Sequence, residues 1–339
     1  MVNFGIIGFG LHGDKRLMPG FAQSRNCRVT AIQRRDRQKA RATAKQYNIP
    51  EAYSSVEDIC KSPNVQAVLI TSPNALHLQE VLTAAKYGKH ILCEKPMAMS
   101  ADECRQMVEA AKKANVVLGI AHVFRFTESV LKMKELVASN QIGRITFAHA
   151  DFSFFAPPNH PRSWLHDRSV AGGGPIADIG VHCIDTLRFV LNDEVEEVTA
   201  VASKDERSHD VEASAVLTLR FSRGTLATSS VTYRAEYHTP VSIHGETGVI
   251  SSHDGLAVDF PVTVTLEKDR KVVIQQTLDN HLAYAKQVDE FADAVEGRAK
   301  FRIAGEDGWQ NQLVLDAAFR SLETGKAEKV ARVLELPIV

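Results

Sequence analysis

Asp178, His182 and Asp185 stand at i, i+4 and i+7 in the stretch GGGPIADIGVHCIDTLRFVL, residues 172–191. On a helix that spacing lines them up in one stripe. A carboxylate one turn from an imidazole can fix its tautomer and raise its pKa, which makes a tunable proton donor. Earlier in the chain, Lys95 lies between Glu94 and Pro96, directly after the apolar run Ile91-Leu92-Cys93. An ammonium held at a strand end can polarise a carbonyl oxygen or donate to a developing alkoxide. Each feature has an ordinary alternative: charged helix stripes are usually solvated, and lysines are mostly exposed. Ligation of a metal by Asp178, His182 and Asp185, as in a hydrolase, would leave the glycine motif and Lys95 without a role. No metal is therefore expected.

The elements that must position these groups can be read in turn. Pro175 suits the first turn of a helix. Ile179, Cys183, Ile184, Leu187, Val190 and Leu191 recur at helical spacing, so they mark a buried face with the polar stripe opposite. At the start of the chain, the strand-like run Val2–Ile7 leads into Gly8-Phe9-Gly10-Leu11-His12-Gly13. A GxGxxG string gains meaning from a strand before it and a helix after it. Gly8 permits the tight turn, Gly10 admits a pyrophosphate, and Gly13 allows close helix packing. The helix start then offers free N–H groups to the phosphates. The next strand, 28–33, ends in Gln33-Arg34-Arg35-Asp36. An acid there would take the ribose 2′-hydroxyl of NAD, whereas Arg34 and Arg35 suit a 2′-phosphate. NADP(H) is thus expected over NAD(H), with Asp36 as the complication.

Strands and helices go on alternating as far as residue 121, which predicts an α/β, doubly wound parallel sheet with ligands at strand carboxyl ends. Segments 8–13, 72–77, 94–96 and 122–126 would rim one crevice. The remainder differs in kind. A strand at 145–155 precedes a long loop carrying His160, Arg162, Trp164, His166, Asp167 and Arg168, enough to shape a polar pocket. Runs at 195–203, 211–221, 225–232, 239–244 and 262–276 read as short strands of an antiparallel or mixed sheet, and two helices follow near 280–296 and 305–323. At 339 residues two domains are expected, residues 1–122 and 123–339. The net charge of −1 gives no electrostatic case for nucleic acid or an anionic membrane. No transmembrane run or signal peptide is visible. Five scattered cysteines without CxxC read as reduced, buried thiols of a cytoplasmic protein.

GFGLHG at 8–13, SPNALH at 72–77, CEKP at 93–96 and the 172–191 stretch together resemble the Gfo/Idh/MocA oxidoreductases. Within that family, Asp178–Asn192 and the Ala156-Pro157-Pro158 loop are similar to those of sugar reductases. The resemblance implies a Rossmann domain followed by a C-terminal α+β domain. The large, mostly antiparallel open sheet of that second domain would serve a homodimer or a dimer of dimers. It implies that Lys95 anchors the substrate oxygen, His182 is the general acid/base, and Asp178 is its partner or a second substrate ligand. The motif residues Gly8 to Gly13 would hold the cofactor together with Ser72, Pro73, Asn74 and His77, and Glu94 would sit beside the nicotinamide ribose. Substrate contacts would come from His122, Arg125, Arg162, Trp164, Asp178 and His182. Many members carry Trp-Arg before the triple glycine; here Trp164-Leu165 leaves Arg162 or Arg168 to stand in.

The expectation is an NADP(H)-dependent oxidoreductase acting on CH–OH groups of a sugar or polyol, with no nucleic-acid or membrane partner. Its rival is a non-catalytic dinucleotide or sugar sensor on the same fold, favoured only if Lys95 or His182 were missing.

Overall fold

A computed structural model describes residues 1–157 and 160–333. Pro158, which shares in the loop similarity above, lies outside them. The chain forms two compact units, one of residues 1–122 with 284–310, the other of 123–283 with 311–333.

The first unit is built on six parallel strands: β1 (Val2–Ile7), β2 (Cys27–Gln33), β3 (Glu51–Tyr53), β4 (Ala67–Ile70), β5 (His90–Cys93) and β6 (Leu118–Ile120). Their order is β3-β2-β1-β4-β5-β6, so the winding reverses between β1 and β4. Ligands of such sheets bind outside the strand carboxyl ends at that reversal. Here it places the glycine loop after β1 beside the Ser72-Pro73-Asn74 turn after β4. Strand β4 is buried along its whole length, as a central parallel strand must be. Helices α1 (Met18–Ala22), α2 (Arg37–Gln46), α3 (Val56–Lys61), α4 (His77–Lys86) and α5 (Ala101–Lys113) connect the strands. Asp36, Ser55 and Ser100 cap α2, α3 and α5 by accepting from backbone N–H groups of the first turn.

Residues 284–310 correct the expected domain boundary. Phe291, fully buried, meets the rings of Phe4 and Phe301 at 6.0 and 5.2 Å. The Asp289 carboxylate accepts from the backbone N–H of Arg25 and of Asn26. Returning helices are joined to a sheet by such contacts rather than by sequence proximity, and a sequence read in order assigns them to the wrong unit.

The second unit holds α6 (Glu128–Ala138), β7 (Ile145–Ala150), β8 (Phe152–Phe155), α7 (Arg168–Ala171) and α8 (Val181–Leu191). Strands β9 (Val195–Ser203), β10 (Ser214–Phe221), β11 (Leu226–Thr232) and β12 (Arg234–His238) follow. Then come β13 (Val241–Gly245), β14 (Gly248–Ser252), β15 (Val262–Lys268) and β16 (Lys271–Leu278), with β17 (Glu328–Lys329) near the end. They form one sheet of eleven strands, ordered β16-β15-β14-β13-β7-β11-β10-β9-β17, with β8 beside β11 and β12. Pairing is antiparallel except where β11 runs parallel to β7 and β8. Strand β10 alternates buried and exposed residues, as a sheet covered on one face requires.

Two expected strands are divided. The run 145–155 breaks at Asp151, whose carboxylate accepts from Ser230 N and pairs with His149. The run 262–276 is a hairpin turning at Asp269 and Arg270, both at positive φ. Strands β12 and β14 are too short and polar to stand out in the sequence. Among the described residues no helix is long and apolar enough to cross a membrane.

Candidate active site

At the winding reversal of the first unit lies a cleft of about 560 Å³. Its walls include Gly8, Phe9, Gln33, Arg34, Arg35, Ser72 and Pro73. Gly8 has φ +75°, and a Cβ on it would lie 2.6 Å from the Ser72 nitrogen, so only glycine allows this turn. A Cβ on Gly13 would press on the Phe9 ring at 3.0 Å. Gly10 is different: a Cβ there would meet only the Gly8 carbonyl oxygen, at 3.7 Å. Packing within the protein therefore does not explain Gly10, whereas room for a phosphate above the loop does. The loop and cleft fit a dinucleotide.

The floor of the cleft contains a residue that no motif signals. Gln33 ends β2, accepts from Gly8 N at 3.0 Å through Oε1, and donates to Ser54 O at 3.2 Å through Nε2. Arg34 follows it, half-buried, with Nη1 donating to Thr43 Oγ1 at 2.8 Å. Arg35 is exposed on the same rim, and Lys39 adds a third cation. The Asp36 carboxylate accepts from Gln38 N and Lys39 N at 2.9 and 3.0 Å. Those bonds, Lys39 first, hold its pKa below the ordinary carboxylate value. Asp36 is thereby used as a helix cap, and the basic residues characterise the rim. Glu80 also lines the cleft; burial pushes its carboxyl up to about 7 against the opposing Ser72 hydroxyl. Thr43, Lys39 and Glu80 were found only by the folding of α2 and α4 against the strands.

On the other side of the loop, His12 Nε2 lies 2.9 Å from Glu94 Oε1. Burial raises the Glu94 pKa, but His12 and the neighbouring Lys95 more than offset it, and the carboxyl is held below its ordinary value. Lys95 is half-buried at the carboxyl end of β5, and the Lys95–Pro96 peptide is cis. Leu11 is exposed, while Asn74 and His122 are buried. His77 does not line the cleft. It is fully buried, with Nε2 2.9 Å from Ser72 O and Nδ1 3.1 Å from Pro96 O and 3.2 Å from Met97 O. Burial lowers its pKa. Its place is beneath the rim, tying two loops together, and this corrects its expected position along a cofactor.

In the second unit, Gly172 ends α7 at φ +80°, and packing explains the other two glycines of the triple. A Cβ on Gly173 would fall 2.3 Å from Phe319, and one on Gly174 would fall 2.3 Å from Glu212 O. The buried Glu212 carboxylate accepts from Gly174 N at 3.0 Å and Ile176 N at 2.9 Å, satisfying free donors at the helix start. A π-helical turn, Ile176–Gly180, then runs into α8. The solvated stripe that stood as the ordinary alternative is absent: Asp178, His182 and Asp185 are 7%, 8% and 1% exposed. Asp178 accepts from the Tyr233 hydroxyl at 3.0 Å. The His182 ring is stacked on Phe152 at 5.9 Å and met edge-on by Phe124 at 4.7 Å.

Asp185 and Arg125 form a buried ion pair. Arg125 Nη2 donates to Asp185 Oδ1 at 2.6 Å, Arg125 Nε reaches both carboxylate oxygens, and Asn311 Nδ2 donates at 2.8 Å. Arg125 is therefore a structural cation, not the substrate ligand the sequence suggested. Trp164 and Arg162 are half-buried around the 3₁₀ turn Ser163–His166. Arg162 bears electrostatically on His160 and Tyr233, whereas the Arg168 guanidinium lies over the Phe319 ring at 5.2 Å. Of the two, Arg162 is the one whose charge bears on Tyr233, the donor to Asp178. All five cysteines are buried and none is in a disulfide, and burial pushes Cys27, Cys60 and Cys183 up to about 12. Among the described residues no group of three or more His, Cys, Asp or Glu is placed to hold a metal ion.

A parallel sheet wound 3-2-1-4-5-6, a glycine loop with room above Gly10 and a basic rim define a dinucleotide-binding fold. Residues 2–122 match the oxidoreductase family with an NAD-binding Rossmann fold, and residues 130–251 match the GFO/IDH/MocA C-terminal domain. The chain is 33% identical over 304 residues to the 1,5-anhydro-D-fructose reductase of Ensifer adhaerens, covering 89% of this chain and 91% of the relative. It is 30% identical to D-xylose 1-dehydrogenase (NADP(+)) 2 of Haloferax volcanii, covering 96% and 98%. Among solved structures, the aldose-aldose oxidoreductase of Caulobacter crescentus complexed with glycerol superposes with a TM-score of 0.88 at 26% identity, covering 97% and 99%. The chain belongs to the GFO/IDH/MocA oxidoreductase family.

Two outcomes follow from these environments. Gly10→Ala is expected to melt close to the parent temperature yet to bind dinucleotide at least about tenfold more weakly; calorimetric titration beside a thermal melt checks it, and unchanged affinity would contradict the room assigned above Gly10. Arg125→Met leaves Asp185 buried without its cation and should cost about 3–5 kcal/mol of stability. Urea unfolding measures it, and a loss below about 1 kcal/mol would mean that the pair is not structural.

Proposed function

We propose that this oxidoreductase is NADP(H)-dependent and acts on a sugar or sugar-derived polyol. The cofactor choice is carried by one observation: the Arg34 guanidinium is held in the cleft by Thr43 while the Asp36 carboxylate is used to cap α2. An arginine tethered at one nitrogen keeps its other donors for a phosphate in a defined orientation. The substrate class is supported by the activities of the relatives, a sugar reductase and a sugar dehydrogenase among them. A bound nicotinamide dinucleotide supplies the hydride.

The protein's own groups hold and move the proton. Lys95 donates to the substrate oxygen as negative charge develops on it. His182 delivers the proton to that oxygen in reduction and removes it in oxidation. Asp178 keeps the imidazole oriented, and Arg162 and Trp164 shape the substrate contacts. Gly8, Phe9, Gly10, Leu11, His12 and Gly13 with Ser72, Pro73 and Asn74 receive the dinucleotide, and the His12–Glu94 pair borders its ribose. The exposed Val201, Val216 and Leu226 on the open sheet face support a homodimer built through that face.

Lys95→Ala and His182→Ala should each lower turnover by about 10²-fold or more, with NADPH affinity nearly unchanged. Steady-state rates at 340 nm on a panel of keto- and aldo-sugars measure this, and parental rates in both variants would refute the roles. Arg34→Ala combined with Arg35→Ala should weaken NADPH at least about tenfold more than NADH. Fluorescence titration compares the two, and equal losses would remove the 2′-phosphate assignment.

A further inference from the structure

The carboxylates of Asp178 and Asp185 lie two turns apart in one buried helical segment, and each accepts from a different kind of buried donor. Asp185 faces a guanidinium and an amide, which together neutralise it. Asp178 accepts instead from a phenol, the Tyr233 hydroxyl, at 3.0 Å. A neutral donor can fix the orientation of a carboxylate while leaving its charge in place. One turn further along the segment is His182, so a charge retained on Asp178 bears on the imidazole.

Tyr233 is well built for this task. Its side chain is fully buried, with its ring 5.0 Å from Phe154 and 5.9 Å from His166. Its backbone is clamped on both sides: its N–H donates to Ala213 O at 3.1 Å, and its carbonyl accepts from Ala156 N at 2.9 Å. The hydroxyl therefore has little freedom to leave Asp178. Burial, with the Asp178 charge and hydrogen bond adding to it, raises the Tyr233 pKa well above the ordinary phenol value, so the hydroxyl stays a donor. Among the other charged or titratable groups bearing on this pair are Arg162 and His160 from the loop, His166 from the 3₁₀ turn, and Glu212 before β10.

We propose that Tyr233 is a positioning residue for the acid–base chemistry, orienting the Asp178 carboxylate toward its work with His182 and taking up part of its charge. The proposal rests on the reading of His182 as the proton donor. It concerns a residue 55 positions from Asp178 that belongs to none of the sequence motifs.

Tyr233→Phe removes one oxygen and keeps the ring. In the full-length enzyme it should lower kcat by about tenfold, leave NADPH affinity within about twofold, and move the pH limb set by His182 upward by about half a unit. The upward sign follows because Asp178, no longer sharing its charge with a donor, pulls harder on the imidazolium. Replacing Tyr233 by 3-fluorotyrosine strengthens the donor, so the limb should move downward at an unchanged melting temperature; this variant also serves if Tyr233→Phe folds poorly. In an Asp178→Asn background Tyr233→Phe should have no further effect on kcat, whereas a purely structural role would give additive losses. A parental pH limb in both Tyr233 variants, or additivity with Asp178→Asn, would overturn the proposal. Parental turnover in His182→Ala and Asp178→Asn would instead sink the underlying reading.

Discussion

The segment 176–191 is buried on every side, and much of the second unit answers to that constraint. A helix without a wet face cannot carry ionisable groups unless each finds a partner inside the protein. Asp185 finds Arg125 and Asn311. Asn311 accepts in turn from Arg188, which pairs with Glu194 at 2.6 Å. The chain of polar contacts reaches from α6's approach, through α8, to the helix Gly305–Thr324 and the start of β9. At the front of the segment, Glu212 supplies the acceptors that the free N–H groups need, and close packing on Phe319 and Glu212 leaves room only for glycine. The position of His182 is thus set by paired charges and by aromatic rings on two sides, rather than by the apolar periodicity of its helix alone.

A comparable division governs the first unit. Its acids near the cleft are each occupied away from the space a dinucleotide phosphate would need. Asp36 caps α2, Glu94 is held by His12, and Glu80 is buried against Ser72 with a pKa near neutrality. What is left facing the cleft is basic or neutral: Arg34, Arg35, Lys39 and the amide of Gln33. A site that must receive multiple negative charges gains as much from quieting its own carboxylates as from presenting cations.

The fold was largely legible in the sequence. Alternating apolar strands and capped helices specify a parallel sheet, and the glycine loop after β1 locates its crevice, because these signals lie within a few residues of one another. The short alternating runs after residue 195 likewise pointed to a different, mainly antiparallel sheet. What failed was long-range. Asp185 is paired with a residue 60 positions earlier, Tyr233 reaches Asp178 over 55, and Glu212 reaches Gly174 over 38. No periodicity records such partners, so a solvated stripe stood as an alternative for the polar side chains of 178–185, and Arg125 read as a ligand. The helix from residue 283 was assigned to the wrong unit for the same reason.

Glycine shows how one residue type carries two meanings that sequence does not separate. Gly8, Gly10 and Gly13 form one motif, and Gly172, Gly173 and Gly174 another, yet the test that distinguishes them is what a Cβ would strike. At Gly173 and Gly174 it strikes protein at 2.3 Å, and at Gly8 it strikes the turn after β4. Those glycines are demanded by the fold, and any family built on the same packing would keep them whether or not it retained an activity. At Gly10 a Cβ strikes nothing nearer than 3.7 Å. There the missing side chain serves something outside the polypeptide, and that single open position ties the first unit to a ligand more directly than the motif as a whole.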